Sequence, residues 1–126
     1  MPRLPFSLAL VATALTLIPG LSMAASSKDN VSKKTAYGAI AWHRETSSIG
    51  YSYDLLTARK ANAAALENCG QERCEIVLSI ANECGALAQG SRTHAAKKGN
   101  TRAEAETLAL KACGKDCRPI AWACTR

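Results

Sequence analysis

The sequence lacks the residue patterns that identify the common hydrolases. It contains only two histidines, His43 and His94, although histidine is the side chain most often used as a general acid or base. It contains neither a Gly-x-Ser-x-Gly nucleophile elbow nor a His-Glu-x-x-His zinc helix. Aromatic residues make up 5% of the chain. None forms a stacking platform beside the basic doublets Lys33-Lys34, Arg59-Lys60 and Lys97-Lys98. We therefore expect no enzyme and no nucleic-acid partner.

Long apolar runs are also absent, except at the amino terminus. Arg3 precedes an apolar run from Leu4 to Leu21, and Ser22-Met23-Ala24 places small residues before a cut at Ala25. This order predicts a secretory signal peptide over residues 1–24. The alternative is a membrane anchor, but the Pro19-Gly20 break and the cleavage site favour removal. We expect a periplasmic or secreted protein with no membrane span after cleavage.

The rest of the chain divides into a short polar segment and one domain. Residues 25–35 are rich in Ser and Lys, which predicts a flexible lead-in. Residues 36–126 have the length of one domain. Removal of residues 1–24 takes away Arg3 and no acidic residue, so the formal net charge falls from +6 to +5. This balance favours an acidic protein or an anionic envelope surface as the partner.

All six cysteines lie in this domain. An even number of cysteines in an exported chain predicts three disulfides, for which 15 connectivities exist. Zinc is the alternative, but the spacings Cys69-x4-Cys74 and Cys113-x3-Cys117 lack a tight CxxC pair. We therefore predict disulfides, with no metal and no cofactor.

The domain contains an internal repeat. Tyr37-Gly38-Ala39-Ile40-Ala41 recurs as Cys84-Gly85-Ala86-Leu87-Ala88. Four later residues recur in the same order, namely Thr57, Leu66, Cys69 and Gly70 as Thr101, Leu110, Cys113 and Gly114. This self-similarity indicates duplication of one supersecondary unit, with copy one at 36–82 and copy two at 83–126. We expect the copies to close on each other with pseudo-two-fold symmetry.

Each copy has the pattern of a β-β-α-β unit. In copy one, strands over 37–42 and 49–53 form a hairpin, Thr57 caps an alanine-rich helix that ends at Gly70, and a strand follows over 75–81. In copy two, Thr101 and Glu104 form a capping box, Gly114 ends the helix in the same way, and a strand covers 118–123.

Alanine-rich faces should let the two helices lie close to the sheet. We expect the buried positions to be Ala61, Ala64 and Ala65 in the first helix and Ala105, Leu108, Ala109 and Ala112 in the second. The predicted fold is α+β, with two helices packed on an antiparallel sheet.

The repeat also predicts the disulfide pairs. Each helix ends in a cysteine, and each following strand begins near one, so a short glycine turn separates Cys69 from Cys74 and Cys113 from Cys117. Cys84 and Cys124 remain and should join the first and last strands of copy two. Their counterparts in copy one are Tyr37 and Ala81, so this bridge should exist in one copy alone.

The phrases YGAIAW, GYSY, ECGALAQG and CRPIAWAC resemble a family of small exported bacterial domains of unknown function, which YGAIA and CGALA phrases mark. The resemblance covers about residues 36–124. It implies export, a duplicated disulfide-bonded organisation, and occurrence alone or beside other extracytoplasmic domains. It supplies no catalytic residues.

The copies differ most at the hairpin tip of residues 42–45 and in the stretch of residues 93–100. The candidate binding residues are Trp42, His43 and Arg44 of the tip, because Trp and Arg often anchor interfaces. The alternative for Trp42 is a core position equivalent to that of Trp122. A second alternative is that His43-Arg44-Glu45 carries out acid–base chemistry. The competing interpretation is that this segment is only a solvated polar turn. Tyr51 and Tyr53 alternate and should share one face of a sheet.

Two functions follow from these expectations. The first is an exported, non-catalytic binding module for a protein, such as an inhibitor or immunity protein against an envelope-directed toxin or cell-wall hydrolase. The second is a module that binds peptidoglycan or another anionic envelope surface, or a weak hydrolase that acts there. Small size, export, three bridges and the lack of catalytic groups favour the first.

Overall fold

The computed structural model describes Gly20 and residues 34–126. The predicted signal peptide, apart from Gly20, and residues 25–33 of the predicted lead-in lie outside the described residues. No helix in the described part of the chain is long and apolar enough to cross a membrane.

The elements follow the predicted order, twice β-β-α-β. They are β1 (Tyr37–Trp42), β2 (Ile49–Leu55), α1 (Ala58–Cys69), β3 (Glu75–Ala81), β4 (Cys84–Gln89), β5 (His94–Gly99), α2 (Arg102–Cys113) and β6 (Arg118–Cys124). The second strand of the first hairpin runs two residues further than predicted, and the last strand runs one residue further.

Each unit forms its own antiparallel sheet of three strands, with the orders β2-β1-β3 and β5-β4-β6. The first and last strands of a unit are therefore neighbours, as predicted. Contacts between the sheets are reciprocal, since β2 lies near β6 and its counterpart β5 lies near β3. The two similar units thus meet face to face, with two sheets where the sequence predicted one.

Side-chain alternation explains the repeated phrase. Successive residues of a strand point to opposite faces, so Ala39 and Ala41 pack against α1, whereas Ile40 and Trp42 belong to the cluster between the sheets. In β4, the alanines at 86 and 88 pack against α2, and Leu87 faces the other sheet. The molecule therefore has four layers: α1, the first sheet, the second sheet and α2.

Small residues allow α1 to lie close to its sheet. Its buried residues, Ala61, Ala65 and Cys69, repeat every four positions along one stripe. Opposite them stands Gly50, where a side chain would collide with the backbone of Ala65 and Cys69. Substitution of Gly50 by alanine would therefore push the helix off the sheet.

The buried stripe of α2 is narrower than predicted. It consists of Ala105, Ala109 and Cys113, the same positions as in α1. Leu108 and Ala112 are exposed, so their assignment to the buried face was wrong. Each precedes a stripe residue by one position, which turns it about 100° around a helix of 3.6 residues per turn.

Both helix N-caps are confirmed, and one C-cap differs. The hydroxyls of Thr57 and Thr101 accept from the amides of Lys60 and Glu104, each at 3.1 Å. Gly70 adopts the left-handed conformation (φ 71°, ψ 11°). Gly114 has φ 94° and ψ −149°, so the prediction of identical ends was wrong, because the following loop is one residue shorter.

The capping box of α2 also differs in one bond. The carboxylate of Glu104 accepts from the amide of Asn100 at 3.2 Å. The predicted box would have placed that carboxylate on the amide of the cap residue Thr101.

All three predicted disulfides are present: Cys69–Cys74, Cys113–Cys117 and Cys84–Cys124. Cys84 lies directly opposite Cys124 across β4 and β6. The equivalent pair across β1 and β3 is Tyr37 and Ala81. The repeat therefore located both the bridge and the uncrosslinked pair that takes its place.

Candidate binding groove

The predicted binding residues Trp42, His43 and Arg44 lie at the end of β1, but the first two are buried. Trp42 is 5% exposed and belongs to the core between the sheets. Its position is not that of Trp122, because Trp122 pairs with Ala86 and so corresponds to Ser79 in the first unit. The core alternative holds for Trp42, whereas its equivalence to Trp122 was wrong.

His43 organises its turn instead of projecting into solvent. The side chain is 8% exposed, and Nδ1 accepts from the amide of Thr46 at 3.2 Å. The Thr46 hydroxyl lies 2.7 Å from the same nitrogen and is 3.1 Å from the Ser48 hydroxyl. The expectation of a solvated polar turn therefore does not describe His43, although Arg44 and Glu45 are exposed.

The fold brings the second histidine to the same place. His94 begins β5, and its ring lies 4.6 Å from that of Trp42. A guanidinium nitrogen of Arg44 lies 3.3 Å from His94 Nδ1. These residues and the carboxylates of Glu45 and Glu75 surround a pocket of about 310 Å³, which we call the histidine pocket. It joins the two units through polar contacts.

No group of three or more metal-ligating side chains occurs within Gly20 and residues 34–126. The histidine pocket has carboxylates, imidazoles and guanidinium groups near one another, as acid–base chemistry requires. His43 Nδ1 contacts the Thr46 hydroxyl, and His94 Nδ1 contacts the Arg44 guanidinium. The Nδ1 atom of each ring therefore serves a structural contact.

A larger groove lies on the opposite side of the molecule, between β2 and β6. We call it the tyrosine groove. Its volume is about 680 Å³, within the range of ligand-sized clefts. One wall consists of Ile49, Tyr51 and Tyr53, and the other is the continuous stretch of residues 120–124 in β6.

Strand register places both tyrosine rings over this groove. Tyr51 pairs with Ile40 and so shares its face, which is directed at the other sheet. Because β2 is an edge strand, Tyr51 and Tyr53 project beyond the core and are 49% and 57% exposed. Their rings stack with centroids 6.4 Å apart. They form a flat aromatic surface that remains open to solvent.

Polar groups occupy the ends and rim of the groove. The Asp54 carboxylate accepts from the amide of Arg126 at 3.1 Å, which fastens the residues after β6 to β2. At the rim, Trp122 is 42% exposed, and the Arg102 guanidinium lies 4.2 Å over its ring. Arg102 also pairs with Glu106 at 2.8 Å. The groove thus combines apolar rings with charges held in fixed positions.

Sequence reasoning correctly placed Tyr51 and Tyr53 on one face but did not select them as binding residues. The signal was present in their alternation, because a strand that turns two aromatic rings to one side needs something to cover them. Trp122 was considered only as a core residue. The exposure of these rings depends on which strands form the edges of the sheets, and the sheet topology determines those edges.

The fold and the groove define a class: a small, disulfide-bonded α+β domain of two similar β-β-α-β units. A family model described as a domain of unknown function (DUF4189) matches residues 37–124, and the chain belongs to this family. Protein Rv1269c of Mycobacterium tuberculosis is 36% identical over 88 residues, which cover 70% of this chain and 68% of that protein. The uncharacterized protein Rv1813c of the same organism is 35% identical, with coverage of 70% and 59%.

The fold also matches a solved structure. The NMR structure of Rv1813c from Mycobacterium tuberculosis has a TM-score of 0.57 and 25% sequence identity, and covers 98% of this chain and 99% of that one. The similarity supports the architecture of two β-β-α-β units.

Proposed function

We propose that this protein is an exported, non-catalytic module that binds another protein through the tyrosine groove. The observation that carries the proposal is the pair of half-exposed, stacked rings of Tyr51 and Tyr53 beside the uncharged stretch 120–124. Tyrosine is enriched in the centres of interfaces because a large, rigid ring contributes contact area at little entropic cost. The groove supplies such a centre, and Asp54 and Arg102 supply a polar rim.

Export is part of the same proposal. The three disulfides and the lack of a membrane-crossing helix in the described residues are compatible with an extracytoplasmic location. Cleavage after Ala24 would deliver the domain to the periplasm or the medium. We also propose that the two units arose by duplication, which the YGAIA and CGALA phrases support. A rigid, cross-linked binder suits an inhibitor or immunity protein against an envelope-directed toxin or cell-wall hydrolase.

Binding to an envelope polymer is the second candidate. Flat aromatic rings can also stack against sugar rings, and the net charge of +5 that remains after removal of residues 1–24 attracts anionic polymers. We prefer a protein as the partner, because the β6 wall of the groove offers backbone groups along a continuous stretch of strand.

One comparison separates the two candidates. The oxidised protein and its Tyr51→Ser/Tyr53→Ser variant would be used as bait in envelope extract and, in parallel, in sedimentation with purified peptidoglycan. We expect the wild type to enrich a defined protein that the variant does not, and that protein, once purified, to bind in solution. Sedimentation with peptidoglycan that the double substitution abolishes, without such a protein, would instead establish the second candidate.

A further inference from the structure

The outer edge of β6 is the feature of the groove that determines what kind of protein segment can bind. β6 is the last strand of the sheet β5-β4-β6, so one of its sides has no neighbouring strand in that sheet. An edge of this kind is a template for another strand. Tyr51 and Tyr53 line the groove beside this edge, where a new strand would lie.

Cross-strand spacing shows which backbone groups face outward. The α-carbons of Cys84 and Cys124 are 4.0 Å apart, which identifies a non-hydrogen-bonded antiparallel pair, since a hydrogen-bonded pair is about 5.5 Å apart. The pairing is regular from Cys124 back to Ala121. Trp122 and Cys124 therefore direct their N–H and C=O groups away from β4 and toward the groove, whereas Ala121 and Ala123 bond to β4.

The charges around this edge select the occupant. Arg118 begins β6 and Arg126 follows it, eight residues later, with no charged residue between them. Two strand ends this far apart are about 27 Å distant. Among the described residues that line the groove, Asp54 is the one carboxylate, and it already accepts the Arg126 amide. The edge is therefore apolar in the middle, with an arginine at each end.

Two of the other sheet edges, those of β5 and β3, are less suitable. β5 carries Lys97 and Lys98, and lysines on an edge strand oppose the addition of a further strand. β3 is the counterpart of β6, but the strand opposite it places Ala96 and Lys98 where β2 places the tyrosines.

We propose that β6 accepts an extended segment of a partner protein as a fourth strand of its sheet, and that this segment is apolar in its centre and acidic at its ends. Backbone bonds to Trp122 and Cys124 would supply the pairing. Alternate side chains of the segment would rest on Tyr51 and Tyr53, and its carboxylates would meet Arg118 and Arg126. This inference rests on the proposed function, because it names how the protein partner binds.

The test uses three synthetic peptides and the oxidised protein labelled with nitrogen-15. The first peptide is acetylated Glu-Glu-Val-Tyr-Val-Thr-Glu-Glu amide, the second replaces each Glu by Lys, and the third N-methylates alternate residues of the first. We expect the first to bind at least tenfold more tightly than the second at low salt, and to slow exchange of the Trp122 and Cys124 amides at least tenfold. N-methylation should remove both effects.

Two variants isolate the backbone contribution. Trp122→Ala removes the ring and keeps the outward N–H, whereas Trp122→Pro removes both, and proline is tolerated at an outward position of an edge strand. We expect the proline variant to bind the acidic peptide at least tenfold more weakly than the alanine variant. Ser79→Pro, at the equivalent position of β3, is the matched control and should bind like the wild type. Thermal melts identify any variant that fails to fold, and the exchange data on the wild type still decide the question.

Three results would overturn the inference: no peptide protects the Trp122 amide at millimolar concentration, the N-methylated peptide binds equally well, or the lysine peptide binds as tightly. A purified protein partner that binds the tyrosine groove without protecting Trp122 and Cys124 would contradict strand addition and leave the proposed function intact. If no protein partner binds the tyrosine groove, both the strand-addition inference and the proposed function are wrong.

Discussion

The two sides on which the units meet have the same backbone arrangement and different side chains. On one side β2 faces β6, and on the other side their counterparts β5 and β3 face each other. Register equates Tyr51 with Ala96 and Trp122 with Ser79. Alternation along each strand then puts Tyr53 on the face of Tyr51 and Lys98 on the face of Ala96. One side therefore exposes the two tyrosine rings in the groove and the Trp122 ring on the α2 face of β6, and the other exposes small or charged groups.

This difference separates what the fold needs from what a binding site needs. In the central strands, the positions that face the helices are the same in both units, with alanines at 39 and 41 in β1 and at 86 and 88 in β4. These alanines are fully buried against the helices, so a larger side chain there would have to displace a helix. The edge positions carry no such packing constraint, so their divergence toward aromatic residues on one side requires another reason. The proposed binding function would supply that reason.

The largest expected effect concerns the long disulfide that distinguishes the second unit. Cys84→Ala/Cys124→Ala should lower the free energy of unfolding by about 4 kcal/mol, because the bridge closes a loop with a sequence separation of 40. Cys113→Ala/Cys117→Ala, with a separation of 4, should cost about 2 kcal/mol. Denaturant unfolding of both variants measures the difference. Equal losses would show that loop length does not control the stability of this domain.

The next effect concerns the aromatic side. Tyr51→Ser/Tyr53→Ser should weaken partner binding about 100-fold, or about 2.7 kcal/mol, with little change in the melting temperature because both rings are already half exposed. Titration calorimetry with the purified partner measures this loss. Lys98→Ser on the other side is the matched control and should leave the affinity unchanged. Equal losses of affinity in the tyrosine variant and in Lys98→Ser would show that the two sides do not differ in binding.

A bridge transplanted to the first unit would sharpen the comparison. Tyr37 and Ala81 occupy the positions of Cys84 and Cys124, so Tyr37→Cys/Ala81→Cys should form a fourth disulfide. We expect this variant to be about 2 kcal/mol more stable than Tyr37→Ser/Ala81→Ser, less than the chain-entropy value because native strain offsets part of the gain. Peptide mapping and denaturant unfolding test it. Two free thiols at 37 and 81 in the folded protein would contradict the equivalence of the positions.

The smallest effect is expected at the histidine pocket. Arg44 is exposed and contacts His94 at 3.3 Å, so Arg44→Ala should lower stability by about 0.5 kcal/mol and leave partner affinity unchanged. Thermal melting and the same calorimetric titration measure both quantities. A tenfold loss of affinity would move the binding surface to Trp42, His43 and Arg44, where the sequence first placed it.

Much of the fold followed from the repeat. The phrase at 37–41 and its copy at 84–88 gave the order of elements, and duplicated positions gave the three disulfides. The narrow buried stripe of α2 was harder to predict, because alanine occupies both buried and exposed positions of this helix. Only contact with the sheet decides which of them is covered.

The candidate site was harder to predict, because it depends on how the two units face each other. The loop of residues 90–93 is shorter than the loop of residues 43–48, so the offset between the units changes after the first strand. Without the register, Tyr51 could not be matched to Ala96. The meeting of His94 with Trp42 likewise joins residues far apart in the chain, and no local pattern predicts it.

The most direct test of the account is nuclear magnetic resonance of the labelled protein with its purified partner. The account predicts that the shifted and protected amides lie in β2 and β6, from Ile49 to Leu55 and from Arg118 to Cys124, while those of β3 and β5 remain unchanged. Changes centred on β3, β5 and His94 would contradict it, because the partner would then occupy the side that lacks the aromatic rings.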